Sequence, residues 1–274
     1  YSQADNGMAR LIGGNRPHHT CFDYCGSWPK DKIELFALTE SGERPIPTSG
    51  EGPGQICMTN PEARARTLAQ LRQFIAADRA EAAAKGYPPP AIYDISPNDN
   101  YQKCVCPGCR AIAEREGSYA APLMDFINHI AREIHKEYPD VLIRTFAYQY
   151  SQKPPATMMA EDNVIIHLAL VGIEFGGDYY TYDTQRALSH PFNAATRTLI
   201  TEWAAHAGRI ARWDYWVLYP TYPEPYVRVD AISPDLKFYK DSHVSYLFAE
   251  YENSQWSSFF ALTRYLGYKL MDDP

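Results

Sequence analysis

Short apolar runs alternate with amphipathic stretches along most of this chain. Segments 91–96 (AIYDIS), 141–148 (VLIRTFAY), 163–170 (NVIIHLAL), 209–216 (RIARWDYW) and 244–250 (VSYLFAE) read as strands. Segments 61–86, 122–138, 193–207, 233–240 and 257–271 read as helices. The first helix carries its own boundary signals: Asn60 to cap it, Pro61 and Glu62 in its first turn, Gly86 to end it. A piece at 19–22 reads as a further strand, which brings the count to about six. Strand, helix, strand in succession calls for parallel strands with helices outside. The expectation is an α/β fold, a (β/α)8 TIM-barrel-like domain spanning 1–274. Its first βα units would then lie upstream of Tyr1, in a longer protein.

Several function classes lose support at once. No G-x-G-x-x-G or Walker loop opens a helix, so a nucleotide site is not expected. A net charge of −7 argues against a nucleic-acid partner, which calls for a basic face. No window approaches the ~18 apolar residues of a membrane-spanning helix.

In a (β/α) barrel the active site forms at the C-terminal ends of the strands. The residues at those positions are His18, His19 and Asp23, then Asn98, Asp99 and Asn100, then Tyr148, Gln149 and Tyr150. Glu174 and Asp178 follow the next strand, Asp214, Tyr215 and Trp216 the one after, and Glu250, Tyr251, Glu252 and Asn253 the last. Aromatic residues are 14% of the chain, and Tyr and Trp pair an apolar face with a polar tip. Carboxylates, amides and aromatics on one rim suit glycoside chemistry, in which one carboxyl protonates the leaving oxygen and a second charge steadies an oxocarbenium-like centre. Plainer readings stand beside this one. Asp99 and Asn100 also suit turn caps. Asp214 also suits an ion pair with a nearby Arg. His18 and His19, with Asp23, also suit a metal-dependent hydrolase or simple hydrogen bonding.

Cys104, Cys106 and Cys109 crowd into six residues around Pro107 and Gly108. With Cys57 they form a ligand set for a structural zinc, and disulfides or free thiols are the alternative. Cys21 and Cys25 are then left to pair locally.

The run His18-His19-Thr20, then 55–61 (QICMTNP), then 95–100 (ISPNDN), resembles the bacterial family DUF4838, part of which is classed as glycoside hydrolase family 163. Cys104-x-Cys106-x-x-Cys109, Tyr138-Pro139-Asp140, Ala147-Tyr148, Pro154-Pro155 and Trp213-Asp214-Tyr215 continue the resemblance, from about His18 to Pro274. It implies a TIM-barrel endo-β-N-acetylglucosaminidase that cuts within the chitobiose core of N-glycans. It further implies an exported protein with flanking domains, a glycan or glycoprotein partner and no cofactor for the chemistry. Such enzymes often use substrate assistance: the 2-acetamido oxygen attacks the anomeric carbon and gives an oxazoline. Related families place an Asp-Glu or Asp-Asp pair at the end of the fourth strand, where this sequence reads Asn98-Asp99-Asn100. The expected catalytic carboxylates are Asp99 and Glu250, with Asp214 in reserve. The expected substrate contacts are His19, Asn98, Asn100, Tyr148, Tyr215, Trp216 and Glu252. An inactive, carbohydrate-binding barrel and a hydrolase for another sugar are the rival readings.

Overall fold

The computed structural model describes residues 12, 13, 16, 18–170, 185–216, 228–250 and 259–272. The chain forms two compact units, Tyr1–Ile166 with His206–Gly208, and His167–Ala205 with Arg209–Pro274.

The first unit contains helices α1 (Cys21–Cys25), α2 (Pro61–Lys85), α3 (Pro107–Glu116) and α4 (Ala120–Glu137), and strands β1 (Ile92–Asp94) and β2 (Leu142–Ala147). Strand β3 (Val164–Leu168) begins at its end. The caps read from sequence hold α2 in place. Asn60 Oδ1 accepts from Ala63 N at 3.0 Å, Pro61 opens the helix, and Gly86 closes it with φ 70°. Helix α4 buries Leu123, Phe126, Ile127, Ile130 and Ile134, the stripe its spacing demands. Strands β1 and β2 are parallel, with Tyr93 opposite Ile143 and Asp94 opposite Arg144. Alternation therefore places Asp94, Arg144 and Phe146 on one face, and Tyr93 on the other.

Two local expectations change. Residues 19–22 are not a strand. His19 turns the chain with φ 53°, the Thr20 hydroxyl donates to Asp94 O at 2.9 Å, and α1 starts at Cys21. Ile12 instead forms a parallel bridge to Ile92 of β1. The cysteine-rich stretch is half helix. Cys106 takes the extended N-cap conformation, Pro107 sits in the first turn of α3, and Gly117 ends it at φ 63°. Pro107 at the start and Gly117 at the end are an ordinary helix signature set within the cysteine spacing.

The second unit contains α5 (Ala194–His206), whose last residue belongs to the first unit, then β4 (Ile210–Tyr215), α6 (Val229–Asp241), β5 (Val244–Glu250) and α7 (Phe260–Asp272). Helix α6 begins a turn before the expected 233 and carries Pro234 inside it. Pro234 falls in the second turn, where it withholds the N–H that would otherwise bond Asp230 O. Strands β4 and β5 are parallel, with Trp213 opposite Phe248 and Tyr215 opposite Glu250. The described residues are thus a mixed α/β chain, with five parallel strands in sequence order and α-helices between them except between β2 and β3, where a 3-10 turn, Gln149–Ser151, lies. That arrangement is compatible with part of a (β/α) barrel.

Candidate active site and cysteine cluster

In the first unit the site rests on a buried ion pair. Arg144 Nε donates to Asp94 Oδ2 at 2.7 Å, and both side chains are almost fully enclosed. Asp94 also accepts from Thr20 Oγ1 at 3.2 Å and from Ser96 Oγ. A charge taken out of water needs this degree of satisfaction. The network fixes where β1 and β2 end, and hence where the following loops start.

Beyond the strand ends lie His19, Tyr148 and Asp99. His19 Nδ1 is 2.9 Å from Pro97 O, and its ring centroid is 5.4 Å from Phe146 and 5.9 Å from Tyr148. His18 meets His19 edge-on, with centroids 5.4 Å apart. Burial, then the neighbouring His19, lowers the pKa of His18. Asp99 is exposed, and its Oδ1 accepts from Gln149 Nε2 at 3.1 Å. Its own N–H donates to Gly50 O at 2.7 Å. Burial, then the charge of Asp99, raises the pKa of Tyr148, so its hydroxyl keeps its proton and can donate. Gln149 has φ 48°, a left-handed turn that brings its side chain back to Asp99.

Asn98 and Asn100 serve the loop itself. The buried Asn98 accepts from Phe22 N at 3.0 Å and donates to Gly54 O at 3.1 Å. Gln55 completes the brace. Its Oε1 accepts from Asn98 N at 2.9 Å, and its Nε2 donates to Asn98 O at 2.8 Å and to Asn100 Oδ1 at 3.0 Å. Asn100 Nδ2 donates to Gly52 O at 2.8 Å. These amides tie segment 52–55 to segment 98–100, the stretch that carries Asp99.

Two residues after Gln55 comes the cysteine cluster. Cys57, Cys104, Cys106 and Cys109 are all buried, and their sulfurs lie within 4.8 Å of one another. The Cys57 sulfur is 3.7 Å from that of Cys106 and 3.7 Å from that of Cys104. All are free thiols, and so are Cys21 and Cys25. Among the described residues this is the set that could hold a metal, whereas His18, His19 and Asp23 form none.

The second unit separates two groups by strand alternation. Trp213, Phe248 and Glu250 share one face. The Trp213 and Phe248 rings are 4.2 Å apart, and Trp213 Nε1 donates to Glu250 Oε2 at 2.6 Å. His167, buried on β3, lies 5.7 Å from Trp213 and 5.4 Å from Tyr246, centroid to centroid. Arg212 and Asp214 occupy the opposite face, which α6 covers. Arg212 Nε donates to Tyr239 Oη at 3.2 Å. Asp214 accepts from Arg212 at 3.3 Å, Arg228 at 3.2 Å, Trp216 Nε1 at 2.9 Å and Tyr215 N at 3.1 Å. Burial opposes its charge, but Arg228 and Arg212 hold its pKa below the usual carboxylate range. Arg228 continues to Asp235 Oδ2 at 2.8 Å.

Of the residues expected at a site, the structure gathers His19, Asp99 and Tyr148 in the first unit and sets Glu250 against Trp213 in the second. Asp214 is enclosed in its ion-pair network. Tyr215 and Trp216 are buried, and Trp216 packs so closely on α7 that a Cβ at Gly267 would lie 2.2 Å from its ring. Glu252 lies outside the described residues, as do Glu174, Asp178, Tyr251 and Asn253. Asp94, Arg144, His167 and Trp213 are not among the site residues expected from sequence. Each is a polar or amphipathic residue inside a strand that is otherwise apolar. That interruption was the available signal, because a buried polar side chain on such a strand needs a partner or a task.

A family model described as "Domain of unknown function (DUF4838)" matches residues 18–274. No curated protein sequence matches the chain.

Proposed function

Because the chain belongs to the DUF4838 family, whose model spans nearly its whole length, we propose that it is a glycoside hydrolase acting on N-acetylglucosamine-containing glycans. The reading is an endo-β-N-acetylglucosaminidase with substrate-assisted catalysis, built on a complete TIM barrel. The observation that carries it is the grouping of Asp99, Gln149, Tyr148 and His19 at the ends of β1 and β2. An accessible carboxylate, a protonated phenol and neighbouring aromatic rings suit a sugar subsite.

Asp99 and Glu250 are the two chemical carboxylates in this proposal. One protonates the departing glycosidic oxygen, and the other steadies the acetamide as its oxygen attacks the anomeric carbon. Gln149 orients Asp99, and Trp213 orients Glu250, each through one hydrogen bond. Asn98 and Asn100 act by shaping the Asp99 loop, and Asp214 by fixing the end of β4. Export to a glycan-rich exterior and flanking domains in the same protein belong to the same proposal, by resemblance to the family.

A panel of N-glycoproteins and p-nitrophenyl sugars, incubated with the protein and read by mass spectrometry, tests it. Release of glycans from N-acetylglucosamine linkages supports the reading. Turnover of plain glucosides removes the acetamido mechanism.

A further inference from the structure

We infer that Cys57, Cys104, Cys106 and Cys109 bind one zinc ion as four thiolates, and that this ion anchors the loop carrying Asp99. The geometry is that of a coordination shell. A zinc–sulfur bond of about 2.3 Å in a tetrahedron sets the sulfurs about 3.8 Å apart. The Cys57 sulfur is 3.7 Å from both Cys104 and Cys106, and every pair lies within 4.8 Å. A disulfide needs sulfurs about 2.05 Å apart and joins only two of the four. Hard cations such as calcium and magnesium prefer oxygen, so an all-sulfur set selects a soft or borderline metal.

The surroundings are built for thiolates. Cys106 caps α3 and Cys109 lies in its first turn, where the helix N-terminus favours negative charge. The Thr59 hydroxyl is 3.3 Å from the Cys109 sulfur and 3.5 Å from the Cys106 sulfur, within reach to donate to either. Gly108 makes that approach possible, since a Cβ there would lie 2.7 Å from Thr59 Oγ1. Zinc binding releases the thiol protons.

The chain path gives the ion its purpose. Cys57 precedes the Asn60 cap of α2, and Cys106 caps α3. Gln55, two residues before Cys57, holds Asn98 and Asn100 on either side of Asp99. One ion thus joins both helix starts to that brace. The inference does not depend on the glycosidase reading, because its readouts are metal and thiols.

The test is elemental analysis of the purified full chain after exhaustive dialysis against metal-free buffer without chelator. The expected result is about one zinc per chain, as a single four-thiolate site binds. Cobalt(II) substitution should give intense thiolate-to-cobalt charge-transfer bands and tetrahedral d–d bands. Thr59→Val, which keeps the shape, should weaken zinc binding ~10- to 100-fold. Cys57→Ser and Cys109→Ser should lose the metal. Should either fail to fold, thiol mapping of the unmodified protein decides. Alkylation at Cys57, Cys104, Cys106 and Cys109 should wait until the protein is denatured with a chelator present, and in a separate sample a mercurial that captures those thiols should release zinc to a colorimetric indicator. Absence of stoichiometric metal, iron in place of zinc, or a disulfide within the set would overturn the inference.

Discussion

Trp213 Nε1 donates to Glu250 Oε2 at 2.6 Å, one strand to the next, on the face of β4 and β5 that α6 does not cover. Asp214, the residue after Trp213, points the other way into Arg212 and Arg228. Two neighbouring acidic positions that look alike in sequence therefore have different surroundings. One accepts from the neutral indole of Trp213, and the other is enclosed by two cations.

That difference sets a first prediction. Glu250→Gln and Asp99→Asn should each lower turnover at least ~10²-fold, since acid–base help is typically worth 10²–10⁴-fold. Their melting temperatures should stay near that of the parent. Asp214→Asn should instead lower the melting temperature, because it leaves Arg212 and Arg228 buried with less compensation. Kinetics and thermal scans on the three variants separate the roles. A turnover loss confined to Asp214→Asn would reverse the assignment.

Arg144→Met is expected to cost about 3–5 kcal/mol of stability, the usual effect of leaving one partner of a buried pair uncompensated. Denaturant unfolding would measure it. A cost below about 1 kcal/mol would show that Asp94 is satisfied by Thr20 and Ser96 alone.

Gly108→Ala should destabilise by about 1–3 kcal/mol, the range for forcing an added carbon into a filled space. The added carbon would press on Thr59, whose side chain lies against the Cys106 and Cys109 sulfurs. Gly42→Ala, at an open site but with φ 83°, reports backbone strain without a clash. Chemical denaturation of both variants distinguishes crowding from strain.

The pH dependence follows from His18. Its folded pKa is lowered from 6.5, chiefly by burial and then by His19. Below about pH 6.5 the unfolded chain binds a proton that the folded chain refuses, so this group makes stability fall as pH drops. The contribution is fully present above 6.5. Replacing His18 with Gln should flatten the slope of melting temperature against pH between about 5 and 7. An unchanged slope would assign the acid sensitivity elsewhere.

Much of the fold was legible because periodicity reports burial. The α2 caps at Asn60 and Gly86, the α4 stripe and the β5 limits can all be read from spacing. Helix α1 was not, because its position depends on Thr20 and Cys21 bonding to Asp94 and Ser96, more than seventy residues away. The site was legible in residue type but not in facing. Sequence places Asp214 and Glu250 at strand ends alike, and only the register of β4 against β5 separates their environments. The same holds for Asn98 and Asn100, whose amides look free until Gln55 and Gly54 are found against them. The cysteine grouping was legible, since three of the four lie within six residues. Cys57 joins them as the sequence reading expected, and the fold supplies the distances.

The proposed activity is hydrolysis between the two core N-acetylglucosamines. Mass spectrometry of an N-glycoprotein after incubation with the full chain tests it most directly. The expected product is a protein that keeps one N-acetylglucosamine on each processed Asn, with the released glycan carrying the other at its reducing end. A thiazoline mimic of the oxazoline should block this release. Intact glycans under conditions where the chain is folded, or cleavage that leaves no sugar on the Asn, would contradict it.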